Sequence, residues 1–168
     1  MRPNTSDYPP YYQKYIDRVE GDDIIWVLNN QISECLDFLE TIPEEKKLYS
    51  YAEGKWTIAQ LIGHFIDTER IMTFRALWFA RNEPVPLPGF DQDNFIKYSN
   101  FNRRTLRSFM DEWTHLRKSN IILFESFGEE ALHRKGVSNN KEVSVLALLF
   151  IIAGHLTHHL AILKERYI

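Results

Sequence analysis

Three of the six histidines in this chain, His155, His158 and His159, fall within five residues. Residues four apart on a helix lie about one turn apart on one face. On a helix, His155 and His159 therefore offer two imidazole nitrogens to one ion, a known way of placing two ligands on zinc. His158, three residues from His155, substitutes for His159 by geometry alone. A third ligand has to come from another segment, and His64 is the natural candidate, because it falls well inside a second helical stretch. His115, on a mixed helical segment, and His133, in a polar stretch, are weaker candidates. The plain alternative is a group of surface or half-buried histidines that binds nothing.

Other catalytic signatures are missing. His155-Leu156-Thr157-His158-His159 carries Leu where the general base of a zinc peptidase helix follows the first His. The seven glycines are scattered and form no phosphate-cradling loop, dinucleotide fingerprint or nucleophile elbow. Cys35 falls on the apolar stripe of a helix, where a thiol behaves as a small hydrophobe. On the helical wheel His64 shares a stripe with Asp67, Thr68, Ile71 and Arg75. Asp67 is thus a candidate to orient a ligand imidazole or a bound water. Its alternatives are a surface carboxylate or a partner of Arg70 or Arg75.

Helices must position these side chains. Apolar residues recur at three- and four-residue steps from Asp22 to about Leu39, bounded by Gly21 and Ile42-Pro43. Thr57 and Gln60 form a capping-box pair that opens a second helix to about Ala80, where no proline intervenes before Pro84. Pro84, Pro86 and Pro88 then stiffen a long loop, which the sequence allows to cross an end of the bundle. A short helical piece starts at Asp91, and a third main helix spans about Asn102 to Phe127. Residues 129–142 read as a polar turn, and Asn139-Asn140 lacks the Gly of a strong hairpin signal. The last helix, Ser144 to about Arg166, is apolar nearly all round in its first half, as suits the middle of a bundle. The expectation is an all-α four-helix bundle with a long loop between helices two and three. It forms one domain over residues 1–168, and residues 1–20, with three prolines and four tyrosines, form an extended N-terminal arm.

The composition agrees. The chain has 168 residues, 44% hydrophobic and 26% charged, with a net charge of -3, which excludes a wholly disordered chain. Nothing in it resembles the basic footprint of a nucleic-acid binder. One cysteine allows no intrachain disulfide. The start shows no secretory signal, and the longest apolar run, Val145 to Ala153, is far short of the roughly 18 residues a span needs. The expectation is a cytoplasmic protein without membrane or nucleic-acid partners, acting on a small molecule. Phe74 and Trp78 lie off the apolar stripe of the second helix, and Trp26 lacks an evident place in a four-helix core. Those aromatics suggest a homodimer.

Several segments resemble the DinB/YfiT-like superfamily. Gly54-Lys55-Trp56-Thr57-Ile58-Ala59-Gln60-Leu61-Ile62-Gly63-His64-Phe65-Ile66-Asp67-Thr68-Glu69-Arg70 looks like its second-helix signature. Gly154-His155-Leu156-Thr157-His158-His159 looks like its C-terminal histidine motif. Pro86-Leu87-Pro88-Gly89-Phe90-Asp91-Gln92-Asp93 is similar to the loop that follows the second helix in one branch, and the match extends over the whole chain. The resemblance implies a four-helix bundle with a divalent metal, zinc or nickel, on His64, His155 and His159, with His158 as a non-ligand. It implies that members are often dimers. It also implies activity on a low-molecular-weight thiol transferred to an electrophile, with a hydrolase using metal-bound hydroxide or a non-catalytic metal-stabilised binding module as alternatives. Arg75 and Arg81 are then possible anchors for the carboxylates of a thiol cofactor, Arg81 more simply being part of a solvated face. Because ligand imidazoles must be neutral, the unperturbed His pKa places the loss of metal below about pH 6.

Overall fold

Side-chain caps mark where the five longer helices begin. In a computed structural model, which describes residues 1–168, the Asp23 carboxylate accepts from the Trp26 amide at the start of Ile24–Glu40. Thr57 and Gln60 cap Ile58–Ala80 reciprocally, as their spacing predicts. Asp91 caps Gln92–Tyr98, Thr105 caps Leu106–Glu125, and Ser144 caps Val145–Arg166. Each cap satisfies amides that a helix start leaves without a partner. In chain order the helices are α1 (Gln13–Ile16), α2 (Ile24–Glu40), α3 (Ile58–Ala80), α4 (Gln92–Tyr98), α5 (Leu106–Glu125), α6 (Glu129–His133) and α7 (Val145–Arg166). The third main helix starts later than Asn102 because Phe101–Arg103 forms a separate 3-10 turn and Thr105 supplies the cap.

α2, α3, α5 and α7 form the bundle. Its neighbouring pairs are α3 with α7, α7 with α2, α2 with α5, and α5 with α3. Consecutive helices α2 and α3 therefore lie on a diagonal, as do α5 and α7. Thr57 at the start of α3 donates to Asn102 just before α5, so α3 and α5 run parallel. Gln31 reaches Ala153 while Lys164 lies over Phe38, so α2 and α7 are parallel too. Tyr167 donates to the Trp56 carbonyl, which sets α7 antiparallel to α3. Parallel neighbours explain the proline loop. It does not cross an end of the bundle; it returns the chain along the length of α3, about 35 Å for 23 residues.

Two further segments differ from expectation. Lys135–Ser138 (β1) and Lys141–Ser144 (β2) form an antiparallel hairpin instead of a plain turn. Asn139 and Asn140 both take positive φ, 51° and 58°, so the two-residue turn forms without glycine. The Leu87 amide donates to Val137, and the Asn139 amide donates to Leu87, docking the proline loop onto β1. The N-terminal arm is not extended. Residues Thr5–Asp7 and Pro10–Tyr12 make 3-10 turns that lead into α1, where Tyr15 and Ile16 are buried.

The core is divided. One apolar cluster gathers around Leu28, Phe79, Phe124 and Phe150, the other around Leu39, Phe65, Trp113 and Leu163. Between them in sequence on every long helix lies a buried polar residue: Gln31, Glu69, Arg117 and His155. Glu69 accepts from Trp113 Nε1, from Nε and Nη2 of Arg117, and from Asn120. Arg117 also donates to the Leu28 carbonyl and to Gln31, whose amide donates to the Ala153 carbonyl and to Thr157. One polar network thus touches all four helices. By length and composition α7 could cross a membrane, with a hydropathy of 1.9, but 72% of that window is buried in the bundle. Of the three aromatics off the apolar stripes, Trp26 and Phe74 are exposed, whereas Trp78 is half-buried and its Nε1 donates to the Val85 carbonyl.

Candidate metal centre

The polar level of the core also holds His64 on α3 and His155 and His159 on α7. All three rings are buried, and their ligand atoms lie within 4.8 Å of one another. His155 Nε2 stands 3.2 Å from His64 Nε2 and 3.1 Å from His159 Nε2. A neutral ring nitrogen carries either a proton or a lone pair. His155 Nε2 therefore cannot donate to one neighbour while accepting from the other, and the trio is not a hydrogen-bonded chain. Three nitrogens at about 2.0–2.1 Å from one tetrahedral cation would stand about 3.3 Å apart. The donor set fits a divalent ion.

Glycine precedes a ligand on both helices. A Cβ at Gly63 would clash with the Phe101 ring, and one at Gly154 would clash with the Tyr15 carbonyl oxygen. Gly154 lets α1 lie directly on α7, bringing the Tyr15 ring edge-on to His155 at 5.2 Å between centroids. The Trp56 ring stands 4.8 Å from that of His64 on the other side. Gly154→Ala gains helix propensity of about 1 kcal/mol but must displace backbone. The net expectation is a loss of about 1–3 kcal/mol in urea unfolding, with Tyr15 freed from His155.

Burial dominates the electrostatics. Desolvation pushes His64 down to about 4, helped by the charge of His158. Desolvation, and then the neighbouring imidazoles, hold His155 and His159 well below the usual histidine range. All three rings are neutral at pH 7 and available as donors. Cys35 is buried, and desolvation pushes its thiol up to about 12, which suits a core residue.

A cavity of about 400 Å³ opens beside the histidines, with His64 and His155 in its wall. Arg75 lines it as well. Asp67 does not: it lies in a different groove with Phe95 and Tyr98, 3.9 Å from Arg70. Burial raises its carboxyl, Arg70 opposing and Glu112 adding to the shift. Three residues on from His64 the helix points away from the cavity, and the fourth residue, Thr68, occupies its wall. His158 is half-buried against Tyr15 and outside the trio, while exposed His115 binds its own helix at Asp111 and His133 ends α6. Sequence reasoning missed Thr68, Tyr12, Tyr15 and the hairpin residue Ser138 as wall residues. The tyrosine-rich start of the chain was the available signal.

The comparisons come down on one family. Residues 28–163 match the model of the DinB superfamily. A protein of Oceanobacillus iheyensis described as a putative metal-dependent hydrolase is 27% identical over 136 residues, 80% of this chain and 76% of its own. YfiT from Bacillus subtilis, described as a probable metal-dependent hydrolase with an unusual four-helix bundle topology, superposes with a TM-score of 0.74. That match has 14% identity and covers 98% of this chain and 90% of YfiT. A mycothiol-dependent maleylpyruvate isomerase superposes at 0.70 with 14% identity, covering 87% of this chain and 61% of its own. At such identities the likeness is one of fold, and it includes four long helices joined in an unusual order. With most of its length matched by the family model and its fold shared with YfiT, this chain belongs to the DinB superfamily.

Proposed function

We propose that the protein is a divalent-metal-dependent enzyme that activates a low-molecular-weight thiol for transfer of its sulfur to an electrophile. One observation carries this reading: three buried imidazoles converge beside a cavity whose wall contains no carboxylate. His64, His155 and His159 would hold the ion, and imidazole donors suit zinc or nickel. An ion held by three neutral rings would have room for a further ligand and would deprotonate a thiol bound there.

The chain's own residues do the rest. Burial keeps the rings unprotonated, and Tyr15 and Trp56 shield them from bulk water. In the net reaction a carbon–sulfur bond forms, the electrophile's leaving group departs with its electron pair, and the thiol proton passes to solvent. Burial holds the Tyr15 hydroxyl above its ordinary range, so it stays neutral and takes no proton. Metal-dependent hydrolysis driven by a carboxylate general base would need an Asp or Glu beside the ion, and the cavity wall supplies neither. A hydrolase is the second reading, favoured by the description of the Oceanobacillus relative.

The test uses zinc-loaded protein purified without a histidine tag. A thiol and chlorodinitrobenzene should be consumed together, with the rate returning to background on chelation or in His155→Ala. Hydrolysis of nitrophenyl esters without thiol would establish the second reading instead. Bound zinc with no turnover of either kind would leave a non-catalytic binding module.

A further inference from the structure

Two arginines are buried in this protein, and only one has a partner. Arg117, 0% exposed, is neutralised by Glu69 at 2.8 Å. Arg75 is 3% exposed and makes no salt bridge, although buried cations are normally paired. Of its five N–H donors, one reaches the Pro88 carbonyl at 3.0 Å and another makes a 3.7 Å contact to Met72 Sδ, while the hydroxyl of Tyr12, a neutral group, lies beside the guanidinium. The Phe90 ring lies 5.9 Å from its Cζ. Thr68, 4% exposed, lies between Arg75 and His64 on α3, and its Oγ1 has no partner. All three residues line one cavity, whose other charged residue is Lys141 and whose wall holds no acid.

We infer that Arg75, with Thr68 beside it, is a carboxylate-binding subsite that seats one end of an elongated anionic ligand whose other end reaches the histidine trio. The inference rests on the thiol reading for what happens at the histidine end and stands on its own at the arginine end. The guanidinium fork matches a carboxylate by two parallel hydrogen bonds, and a ligand carboxylate would supply the missing counter-charge. Arg75 follows His64 by eleven residues, which is about 20° past three full turns, so the two share a face. Their backbone positions are roughly 16 Å apart along the helix axis. The Arg75 side chain turns back over Met72 toward His64, which shortens the gap, and a flexible chain of several bonds spans what remains. Whether the thiol or the electrophile carries the carboxylate, the chemistry at Arg75 is the same.

The experiment titrates zinc-loaded protein by calorimetry with ω-mercaptocarboxylates of six, eight and eleven carbons, the matching mercaptoalcohols, and thiol-free carboxylates of equal length. The expected result is at least tenfold tighter binding of one mercaptocarboxylate over its alcohol. That preference should disappear in Arg75→Gln, survive in part in Arg75→Lys, and weaken several-fold in Thr68→Val. Zinc stoichiometry and circular dichroism should be unchanged in all three variants, and Thr68→Val keeps the test open if an arginine variant fails to fold. Equal binding of acids and alcohols at every length, or a preference that persists in Arg75→Gln, overturns the subsite. If thiol-free carboxylates bind as tightly as their thiol counterparts and still need Arg75, the subsite stands and the thiol reading falls. Simultaneous binding of mercaptoethanol and a thiol-free carboxylate would leave Arg75 to the electrophile, and mutual exclusion would give it to the thiol.

Discussion

Replacing His159 with alanine is expected to abolish stoichiometric zinc binding, while replacing His158 leaves it within a few-fold of the parent. His159 Nε2 is one of three converging donors, whereas the His158 ring is about 100° away around α7. Outer partners of metal sites typically contribute about 10–100-fold in affinity, and loss of a direct ligand should exceed that. Metal analysis of tag-free protein, followed by competition with a chelator, measures both variants. Loss in His158→Ala with retention in His159→Ala would overturn the ligand set. Acidity enters with a definite sign. In the metal-free protein these imidazoles have lowered pKa values when folded and ordinary ones near 6.5 when unfolded. The unfolded chain therefore takes up protons first as pH falls. Stability is full above about 6.5 and is lost progressively toward about 4, where folded His64 titrates. Proton competition for the folded site is moved below the pH 6 that an ordinary histidine implies, so urea midpoints of the metal-free protein should decline before the folded site loses zinc.

The second large effect belongs to the polar network. Glu69→Ala leaves Arg117, fully buried, without its carboxylate, and breaking such a pair costs about 3–5 kcal/mol. Against a typical total of about 5–15 kcal/mol, the variant should be partly unfolded or melt far below the parent. Replacing both members, Glu69→Leu with Arg117→Met, removes two desolvated charges together and should recover most of the loss. Urea unfolding of the three proteins decides it. A Glu69→Ala variant within 1 kcal/mol of the parent would mean that water or another group neutralises Arg117.

The helices were legible because two independent signals coincide in them: apolar residues at helical spacing, and a capping side chain at the first turn. Thr57 with Gln60 is the clearest case. His155 and His159 were legible as a pair because four-residue spacing is local geometry, and their convergence with His64 needed only that the two helices pack. The network was not legible. Glu69 and Arg117 stand beside Arg70 and Lys118 in sequence, and nothing local separates a buried charge from a solvated one. Asp67 and Thr68 fail for a related reason. Both fall near the His64 stripe, and only the position of the neighbouring helix decides which one faces the cavity. Helix order was hidden too, because an apolar stripe records that a partner exists and not which one it is.

The diagonal connectivity bears on how the protein is made. α7 packs against α3 and α2, the first two of the long helices in chain order, and supplies much of the apolar core. His64 and His155 are 91 positions apart along the chain. A ribosome adding about 5–20 residues per second exposes α2 and α3 for several seconds before their shared partner emerges. During that interval the groove awaiting α7 is open to solvent and to other nascent chains. Contacts so distant in sequence also make for slow folding. The three-histidine site is assembled only when α7 docks on α3, so a metal held there would report that the bundle has closed.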